Sequence, residues 1–428
     1  MQLDEICAAI VDCEHKTAPE GDGYALSVGT RAMKHGRLVL DACKPVSETT
    51  YICWSRRMMP VQGDLVLARE APVGQVIRVP RRPRICLGQR TVLIRPDAAR
   101  VHPRFLHYWL LGPDAQGPMA AQAAGATVAH LNVEDIRRLD VSRLPRDRKH
   151  QQAAAESLGA IDDLIENNRR RVEVLEEMAR AIYREWFVHF RYPGHENSNV
   201  VGTIVGALPD GWSAHRSRDL MAEGVLDIGD GYRAKNSEMT GTDQGLPFVR
   251  VGNVRDGWLS IAGCDRLPDD YKARLRSKVS RSGDVVISMK GTVGRHALVH
   301  ESDVAMSYSP QVSYWRSLAP DVFSPTYLYL WIQSHDFIQQ CAAVKGATDM
   351  ADYVNLTDQR RMTLVQPSRE VMARFGELVQ PAILEAGVLR RQGANLSAMR
   401  DLLLPKLVTG QIDVSSLDLD ALVGDSVA

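Results

Sequence analysis

Polar side chains that can hydrogen-bond to DNA recur in the loops of this sequence. Contact with a base edge in the major groove needs paired donors or acceptors, such as those of Arg, Lys, Asn or Gln, while other side chains fix the register on phosphates. At each position a solvated surface residue is the alternative, but we expect part of the set to lie on DNA. The candidates are His15, Lys16, Thr17, Arg31, Lys34, Arg69, Gln75, Gln89, Arg90, Lys235, Asn236, Arg250, Asn253, Lys290, Arg295, Ser309 and Gln311.

Sequence signatures of catalysis are missing. No Gly-Lys dipeptide occurs, so a Walker-type phosphate loop cannot form. No Asn-Pro-Pro-aromatic or Asp-Pro-Pro-aromatic motif occurs, nor a glycine fingerprint for S-adenosylmethionine, nor an H-E-x-x-H zinc pair. We therefore expect no catalytic residue, no metal site and no cofactor bound by this chain.

One short segment, PDDYK at 268–272, could be taken for part of a nuclease site because Asp269, Asp270 and Lys272 have suitable side chains. They lie in one loop, with no second carboxylate-bearing element to complete a metal site, so we do not assign them that role. A self-contained DNA methyltransferase or nuclease with an unrecognised motif is the alternative function. A coiled-coil scaffold that binds only proteins is a third.

Length and composition indicate an ordinary globular protein with two or more domains. The chain has 428 residues, of which 45% are hydrophobic and 24% charged. Its seven cysteines include no C-x-x-C pair, so we expect neither disulfides nor a zinc knuckle, and a reduced cytoplasm fits best. The acidic N-terminus is unlike a secretory signal, and no run of 18 apolar residues occurs. We expect a cytoplasmic protein that does not span a membrane.

Charge is balanced overall but unevenly distributed. The 52 basic and 52 acidic residues cancel. Residues 1–150 hold 22 Lys and Arg against 16 Asp and Glu, whereas residues 151–190 hold 5 against 8. Residues 266–295 hold eight basic and three acidic side chains. The electrostatic case for DNA is therefore local.

The sequence contains an internal repeat, which decides the architecture. The segment GDLVLAREAPVGQVIRV (63–79) matches GDVVISMKGTVGRHALV (283–299) at an offset of 220 residues. HPRFLHYWLL (102–111) matches SPTYLYLWIQ (324–333), and Asn132 and Asp135 recur as Asn355 and Asp358. The nearly constant offset predicts a duplication. We expect the glycines of these segments, Gly63, Gly74, Gly283, Gly291 and Gly294, to form turns with positive φ or to allow close backbone approach.

Each copy is predicted to be a mixed α/β globule that ends in a long helix. Short β-type runs (LVLA and TVLI; DVVIS and QVSYW) are separated by Gly, Pro and Asp. The first helix is predicted from Arg148 to Phe187, and the second from about Glu370 to Leu403 with an interruption at Pro381. Steps of three and four place a heptad seam on the first helix. Its residues are Leu158, Ile161, Ile165, Asn168, Val172, Leu175, Ala179, Ile182 and Trp186.

The length of the first helix predicts a helical partner. Forty residues rise about 60 Å, roughly twice the span of a small domain, so packing on its own globule is the less favoured alternative. The 17-residue segment 191–207 could stretch at most about 60 Å. Because parallel helices would need all of that reach, we expect an antiparallel coiled coil with one globule at each end and a pseudo-twofold axis.

The chain resembles the specificity (S) subunits of type I restriction-modification systems over essentially its whole length. The segments that carry the resemblance are LPDGW (208–212), GDVVISMKGTVGR (283–295), the first helix through RYPG (160–194) and LLLPKLVTGQIDV (402–414). Two departures are that the first copy opens at Met1 without an LPDGW-type segment, and that Ala71 replaces Gly291 in the glycine loop.

The resemblance implies a non-catalytic subunit with two target-recognition domains for a bipartite DNA site. It also implies partners: double-stranded DNA, two methyltransferase subunits, and restriction/translocase subunits. S-adenosylmethionine, ATP and Mg²⁺ are then expected in those partners. Charged residues beside the seam are candidates for docking them, namely Glu166, Arg169, Arg170, Arg171, Glu173, Glu176 and Glu177.

These interpretations combine into one predicted domain order. Recognition domains are expected at 1–146 and 208–368, and long helices at 147–190 and 369–410. A linker at 191–207 and a C-terminal tail at 411–428 complete the chain.

Overall fold

The computed structural model describes residues 1–70, 72–123, 130–203, 206–255, 257–290, 293–345 and 354–414. The chain divides into two compact units: the first is Met1–Glu166 with Ala394–Ala428, and the second is Asn167–Gly393. The division falls inside both long helices, so each helix contributes to both units. Ala71, Gly291 and the tail from 415 onward lie outside the described residues.

The strands are short, as the sequence runs predicted. The first unit contains β1 (Cys7–Asp12), β2 (Ala25–Val28), β3 (Met33–Lys34), β4 (Arg37–Leu38), β5 (Lys44–Val46), β6 (Leu65–Ala68), β7 (Val76–Arg78), β8 (Ile85–Leu87) and β9 (Thr91–Pro96). The second contains β10 (Val200–Thr203), β11 (Gly206–Pro209), β12 (Ser213–Arg216), β13 (Leu226–Asp230), β14 (Leu246–Val249), β15 (Val254–Arg255), β16 (Trp258–Leu259), β17 (Arg266–Leu267), β18 (Val285–Ser288), β19 (His296–Leu298), β20 (Ser307–Tyr308), β21 (Val312–Ser317) and β22 (Thr363–Gln366).

Helices alternate with these strands, and two helices are much longer than the others. They are α1 (Glu48–Trp54), α2 (Pro103–Leu111), α3 (Pro113–Ala123), α4 (Val133–Arg137), α5 (Arg148–Tyr183), α6 (Ser217–Ala222), α7 (Tyr271–Leu275), α8 (Pro325–Ile332), α9 (His335–Lys345), α10 (Leu356–Gln359) and α11 (Arg369–Val408). A π-helical turn, Arg184–Val188, follows α5. The predicted mixed α/β class with two long helices is confirmed.

Strand order is the same inside the two units. The first has an antiparallel four-stranded sheet ordered β1-β9-β6-β7 and a three-stranded sheet ordered β5-β2-β8. The second has sheets ordered β13-β21-β18-β19 and β17-β14-β20. In both three-stranded sheets, one neighbour of the central strand is antiparallel and the other is parallel.

The continuous apolar runs are explained by sheets that are buried on both faces. Leu65 and Leu67 of β6 pack with α2, whereas the alternating Val66 and Ala68 pack with β2 and β8. In the second unit Val285 and Ile287 of β18 likewise face a helical core, and Val286 faces the three-stranded sheet. Each four-stranded sheet is therefore the middle layer of its unit.

Glycines form the turns at both ends of β6 and β18. Gly63 and Gly283 have φ of +94° and +87°, and Gly74 and Gly294 have φ of +85° and +101°. This left-handed region favours glycine because a Cβ is strained there. The prediction is confirmed for these four glycines.

The long helices match the prediction except at one proline. Helix α5 and the π turn cover the predicted span to Phe187. Helix α11 is continuous from Arg369 to Val408, so the predicted interruption at Pro381 is wrong. Pro381 and Glu377, whose carbonyl loses its helical partner, are both exposed, so solvent can satisfy that carbonyl. The neighbouring buried residues Val379 and Ile383 hold the helix through this point.

The predicted seam of α5 is buried, and its partners are mixed. Seven of its nine residues are buried, and Leu175 and Ile182 are half-buried. In the second unit Val172 packs with Ala386 and Leu389 of α11. In the first unit Ala154 and Leu158 join the core of the globule together with Leu404 and Leu407 of α11. The alternative, a helix on its own globule, therefore holds in part for this segment.

The predicted linker at 191–207 carries structure in its described part. Val200–Thr203 pairs with Gly206–Pro209 as a hairpin. Tyr192 is buried and stacks on Trp212 of the LPDGW segment, with ring centroids 5.2 Å apart. Because an aromatic stack anchors it, this segment is more than a spacer.

In the part of the chain that the structure describes, no helix is long and apolar enough to cross a membrane.

Candidate nucleic-acid interface

A cavity of about 500 Å³ in the first unit brings together four predicted DNA contacts. Thr17 lies in the loop after β1, and Arg31 lies in a 3-10 turn after β2. Gln89 and Arg90 form the turn between β8 and β9, where Arg90 has φ of +71°. Lys44, the first residue of β5, also lines the cavity and was missed by the sequence analysis. Three cationic side chains thus surround one concavity.

A chain of ion pairs lies behind the Arg90 turn. Arg69 is only 8% exposed, and its Nη1 lies 3.2 Å from the Asp12 carboxylate, which also holds His15 Nε2 at 2.7 Å. Arg90 Nε lies 2.9 Å from Glu70 Oε2, and His130 Nδ1 lies 2.9 Å from Glu70 Oε1. Arg69 is therefore a buried support rather than an exposed reader.

Smaller contacts tie the neighbouring loop to the same place. Thr17 Oγ1 donates to Gln89 Oε1 at 3.3 Å, and Gln89 Nε2 donates to the His15 carbonyl at 3.4 Å. Lys16 and Lys34 are exposed but do not line this cavity. Gln75 Oε1 accepts the His35 amide at 3.0 Å, which gives that side chain a structural role.

The second unit places a different side chain at the position of Arg90. Arg69 N donates to the Arg90 carbonyl at 3.0 Å, and Met289 N donates to the Gln311 carbonyl at 3.0 Å. Gln311 is exposed and so is Lys290, which stands where the first unit has Glu70. The two units therefore differ in both charge and hydrogen-bonding pattern at the same place.

Several second-unit candidates have structural partners. Asn253 Oδ1 accepts the Arg250 amide at 2.9 Å and its Nδ2 donates to the Ser260 carbonyl at 3.1 Å, so its amide is already in use. Arg250 donates to Asp265 Oδ2 at 3.0 and 2.8 Å. Ser309 is buried, and Arg295 is half-buried with its amide on Ser288 Oγ at 3.0 Å.

Lys235 and Asn236 are exposed beside an ionised carboxylate. The Lys235 amide donates to Glu238 Oε2 at 2.6 Å, and the hydroxyls of Tyr232 and Tyr271 each donate to Glu238 Oε1 at 2.8 Å. These hydrogen bonds, the Lys235 amide first, lower the pKa of Glu238. This surface therefore carries a fixed negative charge next to the Lys235 side chain.

One cluster in the first unit has the residue types of a metal site. Ligand atoms of Asp12, Cys13 and His15 lie within 4.8 Å of one another. The Asp12 carboxylate also binds the Arg69 guanidinium, which already supplies positive charge and would repel a metal ion. The geometry therefore does not fit a metal. His296 and His300 have helical metal-pair spacing, but His296 lies on strand β19, so the two side chains do not share one face of a helix.

The three residues that were considered for a nuclease site and not assigned to one lie in an exposed turn. Asp269, Asp270 and Lys272 are all exposed where α7 begins. The Asp269 carbonyl accepts the Lys272 amide at 3.0 Å, so the segment forms the start of a helix.

The predicted docking residues divide between exposed and intramolecular positions. Arg169 with Glu173, and Glu177 with Arg180 and Arg184, form ion pairs along exposed faces, and Arg170 is exposed as well. Glu166 pairs with Arg37, and Arg171 pairs with Glu385. Glu176, 13% exposed, lies 2.7 Å from Arg390 Nη2, so it is not an outward-facing charge. Docking by the exposed residues stays a prediction.

Four residues at the first-unit site were missed: Asp12, Lys44, Glu70 and His130. Glu70 directly follows Arg69, so an acid beside a candidate base was a signal that could have been used. Lys44 and His130 reach the site only through tertiary contacts, and nothing in their local sequence marks them.

Comparisons with known proteins agree with the resemblance seen in the sequence. No family model matches the chain. The type I restriction enzyme MjaIX specificity subunit of Methanocaldococcus jannaschii is 23% identical over 85% of this chain and 80% of its own length. The HindI specificity subunit of Haemophilus influenzae is 21% identical over 76% of this chain and 81% of its own length. A crystal structure of the S subunit of a type I restriction-modification system from M. genitalium matches 95% of both chains with a TM-score of 0.58 and 13% identity.

This chain is similar in sequence and in fold to type I specificity subunits. The sequence relatives extend over most of their own lengths, and the fold of an S subunit covers nearly the whole chain. The predicted resemblance is confirmed.

Proposed function

We propose that this chain is the DNA-binding specificity subunit of a type I restriction-modification complex. Its two units each recognise one half of a bipartite site on double-stranded DNA. The observation that carries this function is a pair of units with one strand order but different polar chemistry at the matching Arg90 and Gln311 positions. Two related domains with unlike contact residues are what two different half-sites require.

The two units are inferred to be duplicated copies. The support is the repeated order of both sheets and the recurrence of the α4 capping residues Asn132 and Asp135 as Asn355 and Asp358 in α10. Within each unit the contacts also favour antiparallel pairing of α5 with α11. His150 contacts the Leu407 carbonyl and Asp162 contacts Arg400 in the first unit.

Contacts in the second unit support the same antiparallel order. Arg171 pairs with Glu385, and Tyr183 packs against Phe375 with ring centroids 6.4 Å apart. Later residues of α5 thus meet earlier residues of α11. Together with the buried heptad seam, these contacts support a coiled-coil pairing of the two helices.

In this proposal the chain itself is non-catalytic. Two methyltransferase subunits supply S-adenosylmethionine chemistry, and restriction/translocase subunits use ATP and Mg²⁺. The exposed α5 residues Arg169, Arg170, Glu173 and Glu177 are the proposed docking charges. Since its substrate is chromosomal DNA, the complex would work in the cytoplasm.

The decisive experiment measures DNA binding and methyl transfer by the purified chain, alone and with its methyltransferase subunits. We expect specific binding and methylation to occur only in the assembled complex, or to be much stronger there than with the chain alone. Methylation by the chain alone would establish the self-contained enzyme instead. Failure of the complex to retain DNA on a filter would favour the protein-only scaffold.

Docking is tested separately with the pair Arg169→Glu and Arg170→Glu. These charges lie outside the Arg171–Glu385 ion pair, so their reversal leaves that contact in place. We expect weaker co-elution with the methyltransferase on gel filtration, whereas Arg374→Glu, an exposed reversal near the start of α11, serves as control. Normal assembly of the double variant would remove these residues from the interface.

A further inference from the structure

Glu70 is the centre of a charged cluster that braces one arginine at the edge of the first-unit cavity. Its two carboxylate oxygens lie 2.9 Å from Arg90 Nε and 2.9 Å from His130 Nδ1. Glu70 is 19% exposed, whereas Arg90 is 50% exposed. The Glu70 carboxylate is therefore mostly covered, whereas the Arg90 guanidinium beside it faces solvent.

The contact to Glu70 leaves one edge of the Arg90 guanidinium for another ligand. Glu70 Oε2 forms an ion pair with Arg90 on its Nε side, while Nη1 and Nη2 have no ion-pair or hydrogen-bond partner among the described residues. Those two nitrogens form the donor pair that binds guanine O6 and N7 in the major groove. Arg90 also lines the cavity with Arg31 and Lys44, which are suited to flanking phosphates.

Backbone geometry restricts the same side chain. Arg90 has φ of +71°, and its carbonyl accepts the Arg69 amide at 3.0 Å. Arg69 is itself held by Asp12 at 3.2 Å. A long side chain whose Nε lies against a fixed carboxylate loses less conformational entropy on binding, and a guanidinium held in one orientation fits the acceptor pair of guanine better than the edges of other bases.

The second unit lacks this arrangement. Gln311 occupies the backbone position of Arg90, and Lys290 occupies that of Glu70. A glutamine amide suits adenine N6 and N7 rather than guanine, and a lysine cannot brace an arginine. The bracing is therefore particular to the first unit.

We propose that Arg90 reads a guanine of the first half-site and that Glu70 is its positioning residue. This inference rests on the proposed function, because it assigns one base contact within a bipartite site. It requires the first half-site to contain a G·C pair at the position that Arg90 reaches. The preference for guanine at that position depends on both residues, whereas recognition of the second half-site depends on neither.

The test uses the complete complex with its methyltransferase subunits. The recognised site is first determined for the native complex, and duplexes with each single base replaced are then compared as substrates. Arg90→Ala is expected to reduce the preference for guanine at one first-half position by about 10-fold or more, which corresponds to the 1–3 kcal/mol of a two-pronged contact. Arg90→Lys is expected to restore affinity but not the full preference, because an ammonium lacks the planar fork.

Glu70→Gln is expected to relax the same single position while overall binding stays within a few-fold. Glu156→Gln, an exposed acid-to-amide change on α5, is the matched control and should change no position. A purely structural effect of Glu70 would lower binding to all duplexes equally, which would overturn its positioning role. Unchanged base preference with Arg90→Ala would overturn the guanine contact. If the native complex recognises no bipartite site, the proposed function itself fails, and that outcome is distinct from these two.

Discussion

The same aspartate–arginine pair occurs in both units, with a buried aspartate in each but arginines that differ in exposure. Arg95 donates to both Asp64 oxygens at 2.8 and 2.7 Å, and Arg316 donates to both Asp284 oxygens at 2.6 and 2.8 Å. Arg95 is 29% exposed, whereas Arg316 is 3% exposed. Arg316 also donates to the carbonyls of Ser277 and Val279. The same aspartate–arginine pair thus has two different environments, because the surrounding side chains decide how much water reaches it.

The cores around the matching strands β9 and β21 also differ, because polar side chains are buried at β21 where apolar side chains are buried at β9. In the second unit Trp315 Nε1 donates to Gln359 Oε1 at 3.1 Å, and Gln359 Nε2 donates to Ser313 Oγ at 3.0 Å. The matching positions in the first unit hold the buried apolar residues Val92, Ile94 and Ile136. At these matching positions the second unit therefore has a buried polar network where the first unit has apolar packing.

The largest expected effect comes from breaking the deeper ion pair. Arg316→Ala should destabilise the chain by about 3–5 kcal/mol because it leaves the buried Asp284 charge uncompensated. Arg95→Ala is the matched variant and should cost about 1–2 kcal/mol, since solvent can reach Asp64 through the vacated site. Urea unfolding followed by tryptophan fluorescence measures both. Equal losses would show that burial does not distinguish the two pairs.

Acid should act on the first unit through His107, whose counterpart in the second unit is Tyr329. Burial, reinforced by Arg78, lowers the pKa of His107 to about 4. The unfolded chain takes up this proton below about pH 6.5 but the folded unit does not, so stability is full above pH 6.5 and falls towards pH 4. The loss from this one group is at most about 3 kcal/mol.

The variant His107→Phe isolates that contribution. It removes the hydrogen bond to the Val76 carbonyl, so it should be less stable than the native chain at pH 7. The gap in unfolding free energy should narrow as the pH falls to 4. A gap that is independent of pH would rule out the buried neutral imidazole as the cause.

The buried amide of the second unit provides a smaller effect. Gln359→Leu leaves Trp315 Nε1 and Ser313 Oγ without partners and should cost about 1–3 kcal/mol. Ile136→Leu, at the matching position in the first unit, should cost less than about 1.5 kcal/mol because it changes only shape. Thermal unfolding of the two variants compares the polar and apolar versions of one core position. A smaller loss of stability for Gln359→Leu than for Ile136→Leu would mean that the hydrogen-bond network adds nothing to stability.

These contrasts show which features local sequence can specify. The buried runs at 65–68 and 285–288, the turn glycines and the seam of α5 follow from periodicity and backbone sterics, and each was predicted. Pro381 was misjudged because the packing of Val379 and Ile383 on either side outweighs the lost hydrogen bond. Local sequence preferences do not include such tertiary contacts, so they cannot predict this outcome.

The site was only partly predictable for a related reason. Arg31, Gln89 and Arg90 could be chosen by side-chain type, and the fold brings them to one cavity. Ser309 and Asn253 have equally suitable side chains, but Ser309 is buried and Asn253 Oδ1 accepts the Arg250 amide as a cap. Glu70 escaped notice because an acid supports DNA binding only through the arginine that it holds.

The smallest expected effect concerns DNA binding by the second unit. Lys290→Ala should weaken binding modestly, and if Lys290 contacts a phosphate the slope of log affinity against log salt should fall by about 1. Lys272→Ala removes an exposed lysine outside the candidate set and should leave the slope unchanged. Filter binding of the complete complex at several salt concentrations measures both. Identical behaviour of the two variants would exclude Lys290 from the interface.

We propose that two units with one fold recognise two different halves of one DNA site. Methylome sequencing of cells that express the chain with its methyltransferase subunits tests this proposal. We expect methyladenine in a single bipartite motif, with two short specified halves separated by unspecified bases. We also expect Arg90→Ala to alter only one half and Gln311→Ala only the other. A continuous motif, or one variant that alters both halves, would contradict it.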